Sequence, residues 1–271
     1  MNQEPARGGV RATAVAEFRK IHASRFPLVI LAALPPGMFL FVFELYHMED
    51  LAQRVGPDPL TQFAVLAFTA WKTLLFQATL VAFAAYWTTI DSQYGMIRVA
   101  ACQPLTRVQY LLGKWLGIGM HVMLLTIAYI ATLLTWTTLY AGWEGVDGTT
   151  LGALLRFSAQ TVVFTTALTL ITAAAASLRT TVSAGVITAL LTIILLSFAM
   201  MLPFDVVSPR FVFMRYFLFP LGELPNPFPA EADSPFVRVL PAIDFYRTTA
   251  ATAVCFMAPA IWLFRRRDIH E

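Results

Sequence analysis

The stretch YLLGKWLGIGMHVMLLTIAYIATLLTWTTLY, residues 110–140, decides the fold. A helix needs ~20 mostly apolar residues to cross the ~30 Å hydrocarbon core of a bilayer, and this run exceeds that. Comparable runs occupy residues 26–46, 60–90, 151–177, 182–201 and 245–264. Helices are the expected form, because every backbone amide in lipid must find a partner within its own segment. The period-2 alternation of a membrane β-barrel is absent. The sequence therefore predicts an all-α, polytopic membrane protein with about six transmembrane helices in a single unit, residues 1–271.

Composition agrees. Of 271 residues, 58% are hydrophobic and only 13% charged, against roughly 25% charged in a typical soluble domain. The first 25 residues are polar and basic, and no small-residue cleavage site follows the apolar run that starts at Phe26. That run is expected to remain as a membrane anchor. Cys102 and Cys255 supply neither a disulfide framework nor metal-ligand spacing.

Positive charge sets the orientation. With an even number of spans both termini share one side, and that side collects twelve of the 19 basic residues, from Arg7 through Lys114 and Arg179 to Arg267. It holds only five of the 16 acidic ones. The basic side is assigned to the cytoplasm, which places the chain in the inner (plasma) membrane with both termini inside. Tryptophans favour membrane interfaces. Trp87, Trp115 and Trp262 fall near the inner ends of the predicted spans, and Trp71, Trp136 and Trp143 near the outer ones.

The second and third spans are longer than a bilayer requires. At ~1.5 Å per residue each reaches ~45 Å, more than tilt readily absorbs. Their inner ends are expected to project into the cytoplasm as a hairpin closed by residues 91–109. Two further segments lie outside the bilayer. Residues 8–25 carry Val10, Ala14, Phe18 and Ile21 at helical spacing, with Arg11, Glu17, Arg19 and Lys20 largely on other faces. This reads as a basic amphipathic helix at the membrane surface, or simply as a positive retention signal. Residues 202–244 contain a short apolar piece, 211–221, then Pro225, Pro227, Pro229 and Pro235, and are expected to form an extracellular cap of short re-entrant helices.

From Asp91 to Lys114 the chain reads DSQYGMIRVAACQPLTRVQYLLGK. Asp91, Gly95, Pro104, Arg107 and Lys114 resemble, residue for residue and in spacing, the intracellular loop of type-2 ABC exporter permeases. Asp stands where that family more often has Glu. The segment EFRK at Glu17–Lys20 looks like the family's elbow helix, and FRRRD at Phe264–Asp268 like its usual ending. The resemblance implies an ATPase-coupling role for Asp91, Tyr94, Gly95, Arg98, Pro104, Arg107 and Lys114, with Glu17 and Lys20 in the elbow. Physically, Asp91 can pair with a basic group on the hairpin. Gly95 can leave the helix at positive φ, Pro104 can start the next turn, and Arg107 and Lys114 can anchor the third span at the headgroups.

No GxxxxGK[ST] phosphate loop is present; Gly113-Lys114 lacks the upstream glycine. The resemblance implies that ATP and Mg bind to a separate cytoplasmic ATP-binding cassette subunit and that this chain binds no cofactor of its own. It also implies a second permease copy, as homodimer or heterodimer, contact with membrane lipid, and export of a lipidic, peptide or drug-like substrate by alternating access. No nucleic-acid role is expected.

Lys72 has two readings, a side chain snorkelling to the outer interface or a cationic group in the exit path. Gln77 and Gln160 line that path or bond across helices. The four histidines fall on different segments and suggest neither a metal site nor a general base. No catalytic residue stands out, which weighs against a membrane-embedded enzyme. The other competing reading, a membrane component acting mechanically on a periplasmic protein through residues 202–244, shares the same fold.

Overall fold

The computed structural model describes residues 9–24, 37, 74–95, 106–141, 148–199 and 242–266. Among them all regular structure is helical: α1 (Val10–Ala23), α2 (Leu74–Gln93), α3 (Arg107–Ala141), α4 (Gly148–Ala176), α5 (Val182–Ala199) and α6 (Ala242–Arg266). Helices α2 to α6 fall where the apolar runs place them, and α1 where the amphipathic segment does. The first apolar run (26–46) apart from Gly37, the middle of the predicted coupling loop with Arg98 and Pro104, Lys72, and most of the predicted cap (202–244) lie outside the described residues.

At 35 residues α3 is the longest helix, ~52 Å at the standard rise. Over Arg107–Leu139 it is long and apolar enough to cross a membrane, with mean hydropathy 1.9. Shorter apolar stretches occur at Thr161–Ala176 and Val182–Leu195. Its start is specified by a capping box: Gln109 N–H donates to Thr106 Oγ1 at 3.2 Å and Thr106 N–H to Gln109 Oε1 at 2.9 Å. Helix formation therefore begins three residues before the apolar run does.

Helix α4 is the hub, packing against α2, α3, α5 and α6. Small buried residues allow that many neighbours to approach: Ala167, Ala173, Ala174 and Ala176 alternate with Thr161, Thr165, Thr169 and Thr172. The hydroxyls of Thr165, Thr169 and Thr172 bond to carbonyls one turn back on α4 itself, so their burial leaves no unmet donor. Two apolar clusters follow. One joins Phe83, Trp87, Trp115, Ile118 and Ile21 with Ala260 and Phe264 of α6. The other joins Val81, Ala85, Phe164, Ile171, Ala189 and Ile193.

Among the described residues, the segments that carry most of the basic side chains gather at one end of this bundle. Gln93 Oε1, at the end of α2, accepts the Val182 N–H at the start of α5. Gly185 admits the Thr89 side chain, and a Cβ there would lie 2.5 Å from Thr89 Cγ2. The beginnings of α1 and α3, the α4–α5 turn with Arg179, and the end of α6 with Arg265 and Arg266 lie at this same end.

Two sequence readings change. Trp87 and Trp115 are not interfacial anchors; they are 8% and 1% exposed, inside the apolar cluster. Trp262 does sit on the surface, its ring 4.0 Å beneath the Arg266 guanidinium. Glu17, expected on a polar face of the amphipathic segment, is buried with Ala14 and Ile21 on the face that docks.

Candidate functional site: the Asp91 node

Helix α1 runs alongside the first turns of α3, in the same direction. Thr13 lies against Gly113, Ala14 and Glu17 against Gly117, and Phe18 and His22 against His121. The seam depends on two glycines one turn apart. A Cβ on Gly113 would meet Thr13 Cβ at 2.5 Å, and one on Gly117 would meet Glu17 Cβ at 2.8 Å and the Ala14 carbonyl at 2.9 Å. A Gly-x-x-x-Gly spacing lets two helix backbones approach this closely. The apolar face of α1 is thus occupied by protein, and Arg11, Val15 and Arg19 face outward.

At the end of α2, where the long hairpin begins, Asp91 is 5% exposed. Its Oδ1 accepts from Lys20 Nζ at 2.7 Å. Its Oδ2 accepts from the Tyr110 hydroxyl at 2.7 Å and from Lys114 Nζ. Lys20 also lies 3.7 Å from Glu17. One carboxylate therefore ties together three elements, α1, the end of α2 and the start of α3. Burial alone would raise the Asp91 carboxyl, but the adjacent Lys114 charge and the hydrogen bonds from Lys114, Lys20 and Tyr110 bring it down to about 2. Two acids and two bases leave the node formally neutral, which is how buried charges are tolerated.

Past Asp91 the helix ends as Gly95 takes φ +69, with Gly95 N–H donating to the Ser92 carbonyl. That left-handed conformation suits glycine and few other residues. Tyr94, beside it, is 71% exposed. Arg107 occupies the first turn of α3 and is exposed. Gln77 lies on α2, and its side chain is outside the described residues, as are Lys72, Arg98 and Pro104.

Of the residues singled out in the sequence, the structure brings Asp91, Lys114, Glu17 and Lys20 together. It adds Tyr110, the Gly113/Gly117 seam and the meeting of His22 with His121. The glycine spacing was visible in the sequence; the pairing of two histidines a hundred residues apart was not. Among the described residues no group of three or more His, Cys, Asp or Glu side chains could hold a metal ion.

Residues 14–197, more than half of the chain, match a family model described as ABC-2 family transporter protein. The chain belongs to the ABC-2 transporter family. A search of curated proteins found no match. Membership makes the chain an ABC-2 permease, a membrane component of a transporter that implies an ATP-binding partner. In this ABC-2 permease the matched region contains the docking face of α1 from Ala14 onward, the whole Asp91 node and helices α2 to α4.

Proposed function

We propose that this ABC-2 permease is the transmembrane subunit of an ATP-driven exporter, working as a dimer in the inner membrane and moving a lipidic, peptide or drug-like substrate outward by alternating access. The observation that carries the reading is the Asp91 node. A lever that receives force at the loop 91–109 must pass it on without bending, and the node fastens both arms of that lever and the elbow helix to one carboxylate. On this reading the basic end of the bundle is cytoplasmic, and α2 and α4 to α6 cross the bilayer with α3.

The loop supplies the docking surface. Tyr94 and Gly95 open it, Arg98 and Pro104 lie within it, and Arg107 closes it onto α3. Closure of two ATP-binding subunits would displace this surface and switch the permease pair between states. ATP and Mg stay with the partner, and this chain supplies the path and the lever.

The test replaces residues 94–102 with a Gly/Ser linker of equal length. The expected result is loss of the ATP-binding subunit from the purified complex while the permease stays inserted in the membrane. Undiminished association, with transport intact, contradicts the coupling role.

A further inference from the structure

His121 is fully buried on α3, and among the described residues neither ring nitrogen has a hydrogen-bond partner. Buried polar groups are nearly always paired, so this position is energetically unfavourable as built. Its surroundings are aromatic. The ring centroids of Phe83, Phe18 and His22 lie 5.6, 5.9 and 6.3 Å away. Phe18 and His22 belong to α1, and the cage therefore closes only while the elbow helix is docked. His22 is exposed and edge-on to His121, so it forms the outer wall of the cage.

We propose that His121 is a proton-operated latch: protonation of its ring releases α1 from the α2–α3 hairpin. A protonated imidazole carries a charge and two N–H donors, and among the described residues the closed cage offers no acceptor within hydrogen-bond reach of either nitrogen. Opening the seam admits water to both nitrogens, so an added proton favours the undocked state. The other charged groups do not supply this response. From α1 come Glu17, Lys20 and His22, and from α2 comes Asp91. On α3 itself Lys114 and Tyr110 sit two and three turns away, bound to Asp91. At this level α4 meets α3 through Thr166 and Leu170, at Gly119, and Arg265 and Arg266 of α6 are exposed. Among the described acidic groups, Asp91 is committed to Lys20, Lys114 and Tyr110, and Glu17 lies 3.7 Å from Lys20 through Oε1, its buried Oε2 having no hydrogen-bond partner.

The inference requires no particular substrate or ATP-binding partner, so it stands or falls apart from the transport reading. The experiment is amide hydrogen exchange on the full chain in phosphatidylcholine nanodiscs at about pH 7.5 and about pH 5.5, the range in which histidine changes charge. After correction for intrinsic rates, protection of residues 10–23 is expected to fall roughly tenfold at the lower pH, with residues 161–193 unchanged. His121→Phe, and His121→Gln as a polar alternative that cannot take up the proton, should abolish the fall, whereas His22→Gln should retain it. Equal protection of the wild-type segment at both pH values overturns the proposal. So does a fall that persists in either His121 variant, or one that vanishes only with His22→Gln.

Discussion

Asp91 sits where burial and charge act in opposite directions, and its neighbours decide the outcome. Removing its charge leaves Lys114, 1% exposed, without a counter-ion. Asp91→Asn is therefore expected to destabilise the chain by about 3–5 kcal/mol, read from denaturant or thermal unfolding in detergent. Adding Lys114→Met should recover most of the loss, because the pair is then removed together; an additive loss contradicts the pairing. The pH dependence has a definite sign. A carboxyl lowered from ~3.9 in the unfolded chain to about 2 in the fold contributes stability that is complete above the unfolded value. That stability is lost as pH falls through the folded one. Unfolding midpoints should show no Asp91-dependent change between about pH 7 and 5 and a drop below about pH 4, absent from the Asp91→Asn/Lys114→Met variant. The sequence announced Asp91 and Lys114 through their spacing. It could not announce Lys20 or Tyr110 as partners: the Lys20 pairing, across 71 residues, depends on how α1 docks, and the Tyr110 pairing, across 19, on how α2 and α3 meet.

At the scale of elements, hydrophobic runs located α2 to α6 because apolar length registers in sequence without knowledge of neighbours. What a run cannot disclose is which face meets which helix. The helical spacing of Val10, Ala14, Phe18 and Ile21 correctly marked an apolar face on α1, yet that face lies on α3, and Glu17 lies within it. Gly113 and Gly117 explain why: with no side chains, they open a groove that α1 fills. Gly117→Val should push α1 out, because its Cβ would come within 3 Å of Glu17 Cβ and the Ala14 carbonyl. Limited proteolysis near Arg11 and Arg19 should become faster in the variant, while Gly148→Ala, where a Cβ meets nothing within 4 Å, serves as the silent control. Unchanged cleavage in Gly117→Val would show that the seam is not what holds α1.

Over the whole molecule, the element order and the charge asymmetry described one arrangement. Among the described residues, the basic groups expected on the cytoplasmic side, Lys20, Arg107, Lys114, Arg179, Arg265 and Arg266, converge at one end of the helical bundle, the arrangement a positive-inside pattern would produce. The tryptophans were a weaker guide, since Trp87 and Trp115 fill the core between helices. The chain is a transporter's membrane component, and the account depends on what the proposed coupling loop at that end meets. The most direct measurement is purification from native membranes in mild detergent, with mass analysis of the intact complex. The account predicts two copies of this chain beside two of an ATP-binding subunit. The chain emerging alone, from membranes shown to contain such a subunit, would contradict it.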